Sequence, residues 1–514
     1  DPDPLLRQYK VIPDYDFKGP RDDHDRAFWQ GCDADTLDDF SALAYFFGRR
    51  IRQWLGVPVG LLNISLGGSP IESWMDIDTL RAFPEALASL EPYLGDGVAS
   101  KRSLDSVAER DRWYQALGYE AVADAHHEWL PLIAWDCPES KNIEPRDVAW
   151  HDIRLPGWYK DRGLAGFRGE ITMRKTVFLP PSDAGKPALL RLGTMNDADH
   201  TWVNGVLVGG RSNVYEPRDY PVAAGVLRAG ANEIRMRLVV ERPGGRVTPG
   251  KRMTLTIGDD IFDLSGIWQY AVTAEADRDC PFEDFVRWKP TGLYNAMLAP
   301  CFPYAVRAVL WYQGESNAQN IETHERLFPL LVESWRKNWG EEFPFYYVQL
   351  SSIDRPSWTW FRNSQRELME TIPNSGMAVS SDRGDSLNVH PVYKREIGER
   401  LARWALNKTY GHPLTPSGPL FRSVEFRDNA AYITFDYANG LHTSDGQPIR
   451  TFEIAEHDGL FFPAQAEIID GKVKIRSEKV TNPKLVRYGW QPFTRANLVN
   501  SDELPASTFR TKKQ

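Results

Sequence analysis

Phe40-Ser-Ala-Leu-Ala-Tyr-Phe-Phe-Gly-Arg-Arg-Ile-Arg-Gln-Trp-Leu55 repeats apolar residues at three- and four-residue spacing, and Gly56 follows as a stop. Val57-Pro-Val-Gly-Leu-Leu-Asn-Ile-Ser65 comes next, an apolar run of the length and composition of a buried strand. A helix leading straight into such a strand is the grammar of a parallel α/β sheet. The same grammar returns in the strand 305–312, the helical stretch 322–339, the strands 343–350 and 376–380, and the helical pattern 391–406.

Between these stretches the texture changes. Residues 149–272 read as short alternating strands broken by Gly, Pro and Asn-Gly turns. In Thr201-Trp-Val-Asn-Gly-Val-Leu-Val208, Asn204-Gly205 is a two-residue hairpin signal, and Asn232-Glu-Ile-Arg-Met-Arg-Leu-Val-Val240 alternates in the same way. This predicts an all-β domain, a sandwich or jelly roll, inserted into the α/β domain. From residue 418 the chain is again strand-rich, at Ala431-Tyr-Ile-Thr-Phe435, Lys472-Val-Lys-Ile-Arg476 and Leu485-Val-Arg-Tyr-Gly-Trp490. The fold class expected is α/β with an inserted β domain and a small C-terminal β domain. Its divisions are placed at 1–140, 141–275, 276–412 and 413–514.

Composition narrows the function. At 514 residues, 42% hydrophobic and 25% charged, the chain has room for about two to four ordinary globular domains of ~150 residues. Its 61 basic and 70 acidic side chains leave a net charge of −9, with no run of five like charges to follow a phosphate backbone, so nucleic acid is not an expected partner. No apolar stretch approaches the ~18 residues of a membrane span. Cys32, Cys137, Cys280 and Cys301 stand far apart without a CxxC, so neither a zinc site nor a disulfide framework can be read from them. No metal or cofactor is expected. Aromatics reach 12% with 18 tryptophans, an excess that suits β cores and also the flat faces on which sugar rings pack.

Two serines carry hydrolase-like strings. Gly314-Glu315-Ser316-Asn317-Ala318 follows an apolar strand and differs from the G-x-S-x-G nucleophile elbow at its fifth position. Gly384-Asp385-Ser386-Leu387 spells another esterase signature, placed late in the sheet instead of after its first strand. Around it, Asp382-Arg-Gly-Asp385-Ser-Leu-Asn-Val-His390-Pro391 sets two carboxylates before a histidine at the C-terminal edge of the sheet, where α/β enzymes keep their sites. Acyl transfer needs such a histidine beside a serine, with a carboxylate to hold its tautomer; the alternative is a histidine capping a helix. Asn63-Ile-Ser-Leu-Gly67-Gly68-Ser69-Pro70 offers backbone N–H groups at a strand-to-helix transition, as an oxyanion hole or merely a tight turn. Trp311-Tyr-Gln313-Gly-Glu315-Ser-Asn317 packs polar side chains behind a strand, as a structural network or as oxyanion donors.

Taken jointly, these strings resemble the sialate O-acetylesterase family of SGNH-type carbohydrate esterases. The likeness is carried by 40–49, 57–63, Gly67-Gly-Ser-Pro-Ile-Glu-Ser-Trp74, Leu293-Tyr-Asn-Ala-Met-Leu-Ala-Pro300, 311–317, Asp382-x-Gly-Asp385 with His390-Pro391 and Lys394, and Val486-Arg-Tyr-Gly-Trp490 with Asn497-Leu498 and Leu504-Pro505. It implies a three-layer α/β/α domain, a jelly roll like the sugar-binding domain of β-galactosidases, and two-step hydrolysis of a sugar acetyl ester without a cofactor. Carried over, His390 is the general base and Asp385 or Asp382 orients it. Leu387 stands where the superfamily's Asp-x-x-His block would have its acid. Gly67, Gly68 and Gln313 match the oxyanion donors, with Glu315 and Asn317 in support. The family's Gly-Gln-Ser-Asn nucleophile string does not occur in these residues, so the serine is expected upstream of Asp1, on a cleaved N-terminal fragment or an unsupplied segment. The resemblance further implies an acetylated carbohydrate as substrate and a secreted or periplasmic location. An α/β-hydrolase using Ser316 and a non-catalytic carbohydrate-binding protein are the competing readings.

Overall fold

In the computed structural model of the protein, residues 2–118, 120–123, 133–136, 148–212, 214, 216–386 and 388–512 are described. Cys137, Leu387 and the expected division at 140/141 lie outside them. The chain forms two compact units, one of residues 1–96 and 286–514, the other of residues 97–285.

The helix read from 40–55 is α1 (Ala42–Leu55): Ser41 Oγ accepts from Ala44 N at its start, and Gly56 closes it at φ +69°. Its buried residues Tyr45, Gly48 and Ile51 recur every third position, which is the face it turns inward. It links β2 (Ala27–Cys32) to β3 (Val59–Asn63), and β1 (Asp3–Val11) lies between these two strands. β1 pairs parallel with β3 and antiparallel with β2.

A second three-stranded sheet is fully parallel. β4 (Val309–Trp311), β5 (Phe345–Val348) and β6 (Ser375–Ala378) pair in that order, joined through α2 (Ile321–Trp339) and α3 (Trp358–Thr371), and α4 (Lys394–Trp404) follows. All four residues of β5 are buried, as expected for the middle strand of a parallel sheet. Both sheets feed one apolar core containing Tyr9, Val11, Trp311, Phe328, Trp335, Phe345, Met377 and Leu401. Trp335 meets Trp311 edge-on at 5.6 Å and Phe345 at 5.9 Å; burying each such ring contributes roughly 1.5–3 kcal/mol.

The C-terminal part of this unit is antiparallel. One sheet has the order β7 (Leu420–Arg427), β8 (Ala430–Asp436), β12 (Lys472–Arg476), β11 (Gln465–Ile469); the other runs β10 (Phe462–Pro463), β9 (Phe452–Ala455), β13 (Leu485–Tyr488), β14 (Phe509–Arg510). Their shared core holds Ile433, Phe452, Val473, Tyr488 and Phe509.

The unit of residues 97–285 begins with the helix Val98–Ala116 and contains a six-stranded and a four-stranded antiparallel sheet over one core of Ile171, Met173, Leu190, Ile234, Met236, Leu255 and Trp268, a sandwich arrangement. The expected hairpin is present. Ala198–Val203 and Val206–Arg211 pair across Asn204 and Gly205, both at positive φ (49° and 84°), as a type I′ turn demands.

Candidate active site

After β6 the chain turns through Ser381–Arg383 into the loop bearing Asp385 and His390, and α4 begins at Lys394. Gly384 passes so close to Ser352 that a Cβ would stand 2.0 Å from its carbonyl oxygen, so only glycine fits. Ser352 Oγ donates to Ser381 O at 2.6 Å and Asp354 N to Ser386 O at 3.1 Å, lacing the loop after β5 to the loop after β6. Within that loop Asn388 N donates to Asp385 Oδ1 at 3.1 Å and His390 N to Asn388 Oδ1 at 2.9 Å. These two side-chain turns fix where His390 leaves the backbone.

Asp382 is engaged differently. Arg400 of α4 grips both its oxygens at 2.7 Å while also donating to Val379 O, and Arg383 adds a contact at 3.3 Å. A bidentate pair of this kind holds the end of β6 against α4.

The loops after β3 and β4 are tied together by the polar string 311–317. Gln313 Nε2 donates to Ser69 O at 3.2 Å and to Asn317 Oδ1 at 2.6 Å; Asn317 Oδ1 also accepts from Ile71 N, and its amide donates to Glu72. Both amide hydrogens of Gln313 are therefore committed to the brace between the loops. Ser316 Oγ donates to Gly68 O at 2.5 Å, a carbonyl that cannot act as a base. Gly68 sits at φ +75° with the Trp288 ring 2.5 Å from where a Cβ would be, so the turn requires glycine. Among the described residues the exposed N–H groups of Gly67 and Gly68 meet no acceptor.

Electrostatics join the ends of the three parallel strands. Burial raises the Glu315 carboxyl, just after β4, against the pull of Lys394 and Arg355. Burial lowers Lys394, whose ammonium lies 4.7 Å over the Tyr312 ring, and Glu315 partly offsets this. Tyr312 is pushed up by burial and then by Glu315. His390 is lowered first by burial, then by Lys394 and Arg355, which keeps its imidazole neutral below the usual histidine range. Perturbed acids and bases gathered at the C-terminal ends of parallel strands are what acid–base catalysis requires. Sequence reading placed His390 and the motif containing Lys394 here; it gave no role to Arg355 or Tyr312. Lys394 stands four residues after His390, a spacing that could have flagged it, whereas nothing local marks Arg355.

A hollow of about 610 Å³ lies elsewhere, lined by Leu414, Phe435, Tyr437 and Asn439, and holds none of these groups. Among the described residues no set of three or more His, Cys, Asp or Glu side chains is placed to hold a metal, and no helix is long and apolar enough to cross a membrane.

Residues 283–407, which carry the loops after β4, β5 and β6, match the family model described as carbohydrate esterase, sialic acid-specific acetylesterase. The resemblance to sialate O-acetylesterases holds. The sialate O-acetylesterase of Rattus norvegicus is 29% identical over 252 residues, 42% of this chain and 46% of that protein. Its Mus musculus counterpart is 31% identical over 209 residues, 35% of this chain and 38% of that protein. The matched region thus spans less than half the length of these curated relatives. The crystal structure of a carbohydrate acetylesterase from Xanthomonas citri, 22% identical, aligns with all of this chain and 74% of its own at a TM-score of 0.58, a likeness of fold. The family-model match thus falls on the segment that carries these loops.

Proposed function

We propose that the protein is a serine carbohydrate esterase removing O-acetyl groups from acetylated sugars, of the sialic acid or plant cell-wall type. The observation that carries the reading is His390: an imidazole kept neutral on a loop at the end of a parallel strand, within the family-matched segment. In the proposed reaction a serine oxygen attacks the acetyl carbonyl while His390 takes its proton. The imidazolium returns that proton to the departing sugar oxygen, and water, deprotonated by His390, releases acetate from the acyl-enzyme. Asp385 is the proposed orienting carboxylate, because Asp382 is held bidentately by Arg400. The Gly67 and Gly68 N–H groups are the proposed oxyanion donors, each worth roughly 2.7–4 kcal/mol of barrier. Gln313, Glu315 and Asn317 act from behind, keeping that turn in place.

The nucleophile in this reading is supplied from upstream of Asp1, on the same polypeptide or on a cleaved fragment that stays bound. An SGNH-type layout, a jelly-roll module at 141–275, a separate β domain at 413–514 and a secreted or periplasmic location belong to the same proposal. The test is hydrolysis of an aryl acetate, and of O-acetylated sialic acid and xylan, by the purified protein and by His390→Ala. Sequencing every N-terminus in the sample identifies the piece bearing the serine. Loss of about 10³-fold or more in kcat/KM is expected. Equal rates in the two proteins would sink the reading, and activity in neither would favour a non-catalytic carbohydrate-binding protein.

A further inference from the structure

The C-terminal sheet carries an imbalance of charge on an aromatic surface. β13 and β14 pair antiparallel with Arg487 directly opposite Arg510. Like charges in that position repel unless something neutralises both. Arg487 is neutralised: Glu453 on β9 accepts from its Nε at 2.9 Å and its Nη2 at 3.0 Å, which uses both carboxylate oxygens. Arg510 is not, since among the described residues no carboxylate lies within ion-pair distance of its guanidinium. Its backbone N–H donates to Asn363 Oδ1 at 3.0 Å, which anchors the residue to α3.

That guanidinium is instead framed by rings. It lies 4.7 Å over Trp360, 5.3 Å over Phe461 and 5.6 Å over Trp490. Trp360 and Trp490 meet edge-on at 5.0 Å, so they form a corner in place of a closed stack. Trp490 is buried, whereas Trp360 keeps 48% of its surface exposed. The floor is stiff. The buried Arg362 donates to Thr508 Oγ1 and to the carbonyls of Gly489, Gln491 and Pro492, and Pro492 O also accepts from Ile353 N.

We propose that Trp360 and Arg510 form a second, non-catalytic binding site for a carboxylate-bearing pyranose, such as a uronate or a sialate residue. The exposed part of the indole supplies apolar area for the sugar ring, and the guanidinium fork donates paired charge-assisted hydrogen bonds to the ring's carboxylate. Burial together with Arg487 lowers the Arg510 pKa, as expected for a cation lacking its anion. This site does not depend on the esterase reading, because it shares no residue with His390 or its neighbours. It does share a loop with them: Ile353 bonds Pro492 while Asp354 bonds Ser386.

The test is ligand-observed NMR titration of the full chain with D-glucuronic acid and with N-acetylneuraminic acid at neutral pH. D-glucose and acetate serve as controls lacking one half of the ligand. Saturable binding of both acids, with Kd on the order of 1 mM, is expected, with neither control binding comparably. Arg510→Gln should weaken binding about tenfold or more, Arg510→Lys less, and Trp360→Ala should abolish it while Trp360→Phe retains part. Circular dichroism melts establish that each variant is folded. Equal binding of glucose and the acids, no saturable binding of either acid, or indifference to Arg510→Gln or Trp360→Ala in folded protein would overturn the proposal.

Discussion

In the unit of residues 97–285, Arg218 and Asp199 are fully buried at 2.8 Å, and every charge is answered: Tyr220 and Thr201 also donate to Asp199, while the carbonyls of Glu216 and Asp197 take the rest of the guanidinium. Around His390 the charges are only partly buried and unevenly matched, with Lys394 and Arg355 both bearing on one imidazole and Glu315 opposing them from the end of β4. Matched buried charge is a structural device whose removal shows in stability. Mismatched charge at strand ends perturbs proton affinity, and its removal shows in rates and pH profiles. Separate readouts for the two regions are the way to break this comparison.

The largest effect belongs to the matched pair. Arg218→Met leaves Asp199 buried without its cation and is expected to destabilise the unit by about 3–5 kcal/mol, read as a fall in the midpoint of denaturant unfolding. The double variant Arg218→Met/Asp199→Leu should recover most of that loss, because an apolar pair no longer strands a charge. If the double variant were as unstable as the single one, the pair would be contributing more than mutual neutralisation.

The two carboxylates near His390 sharpen the contrast within one loop. Asp385→Asn is expected to lower kcat about 10²-fold or more with little change in melting temperature, as a group orienting the base would. Asp382→Asn should do the reverse, destabilising by about 1.5–3 kcal/mol through the buried Arg400 it leaves half-paired. A rate loss for Asp382→Asn matching that of Asp385→Asn, at unchanged stability, would reverse their roles.

Much of this is legible in the sequence, and what is not has a common physical character. The helix at 42–55 and the strand after it announce themselves through local periodicity and a terminal glycine, and the Asn204-Gly205 hairpin through a dipeptide that tolerates positive φ. The loop carrying Asp385 and His390 is legible because its polar residues lie close together in sequence. Partnerships were not legible where chain distance separates the partners. Asp382 finds Arg400 eighteen residues on, across the start of α4. Arg510 finds Trp360 only through the packing of β14 on α3. Gln313 read equally well as donor or brace, and only the positions of Ser69 and Asn317 show its amide hydrogens to be spent.

The smallest effect probes the mismatch itself. His390 is lowered by burial first and by the charges of Lys394 and Arg355 after it, while Glu315, Asp354, Asp382 and Asp385 are carboxylates on the turns at these strand ends. A base with a lowered pKa stays deprotonated to lower pH, so the acidic limb of kcat/KM should fall below the usual histidine value near 6.5. Lys394→Gln removes one cation, which lets His390 bind its proton more readily, so the acidic limb should move up in pH by less than about one unit. The same change withdraws one of the two cations that stabilise ionised Glu315, whose carboxyl should rise further. Burial and Arg355 remain, so the limb should not pass the unperturbed value. A limb that stayed fixed or moved to lower pH would mean that Lys394 does not bear on the base, and that the positive charge at this site acts on the substrate alone.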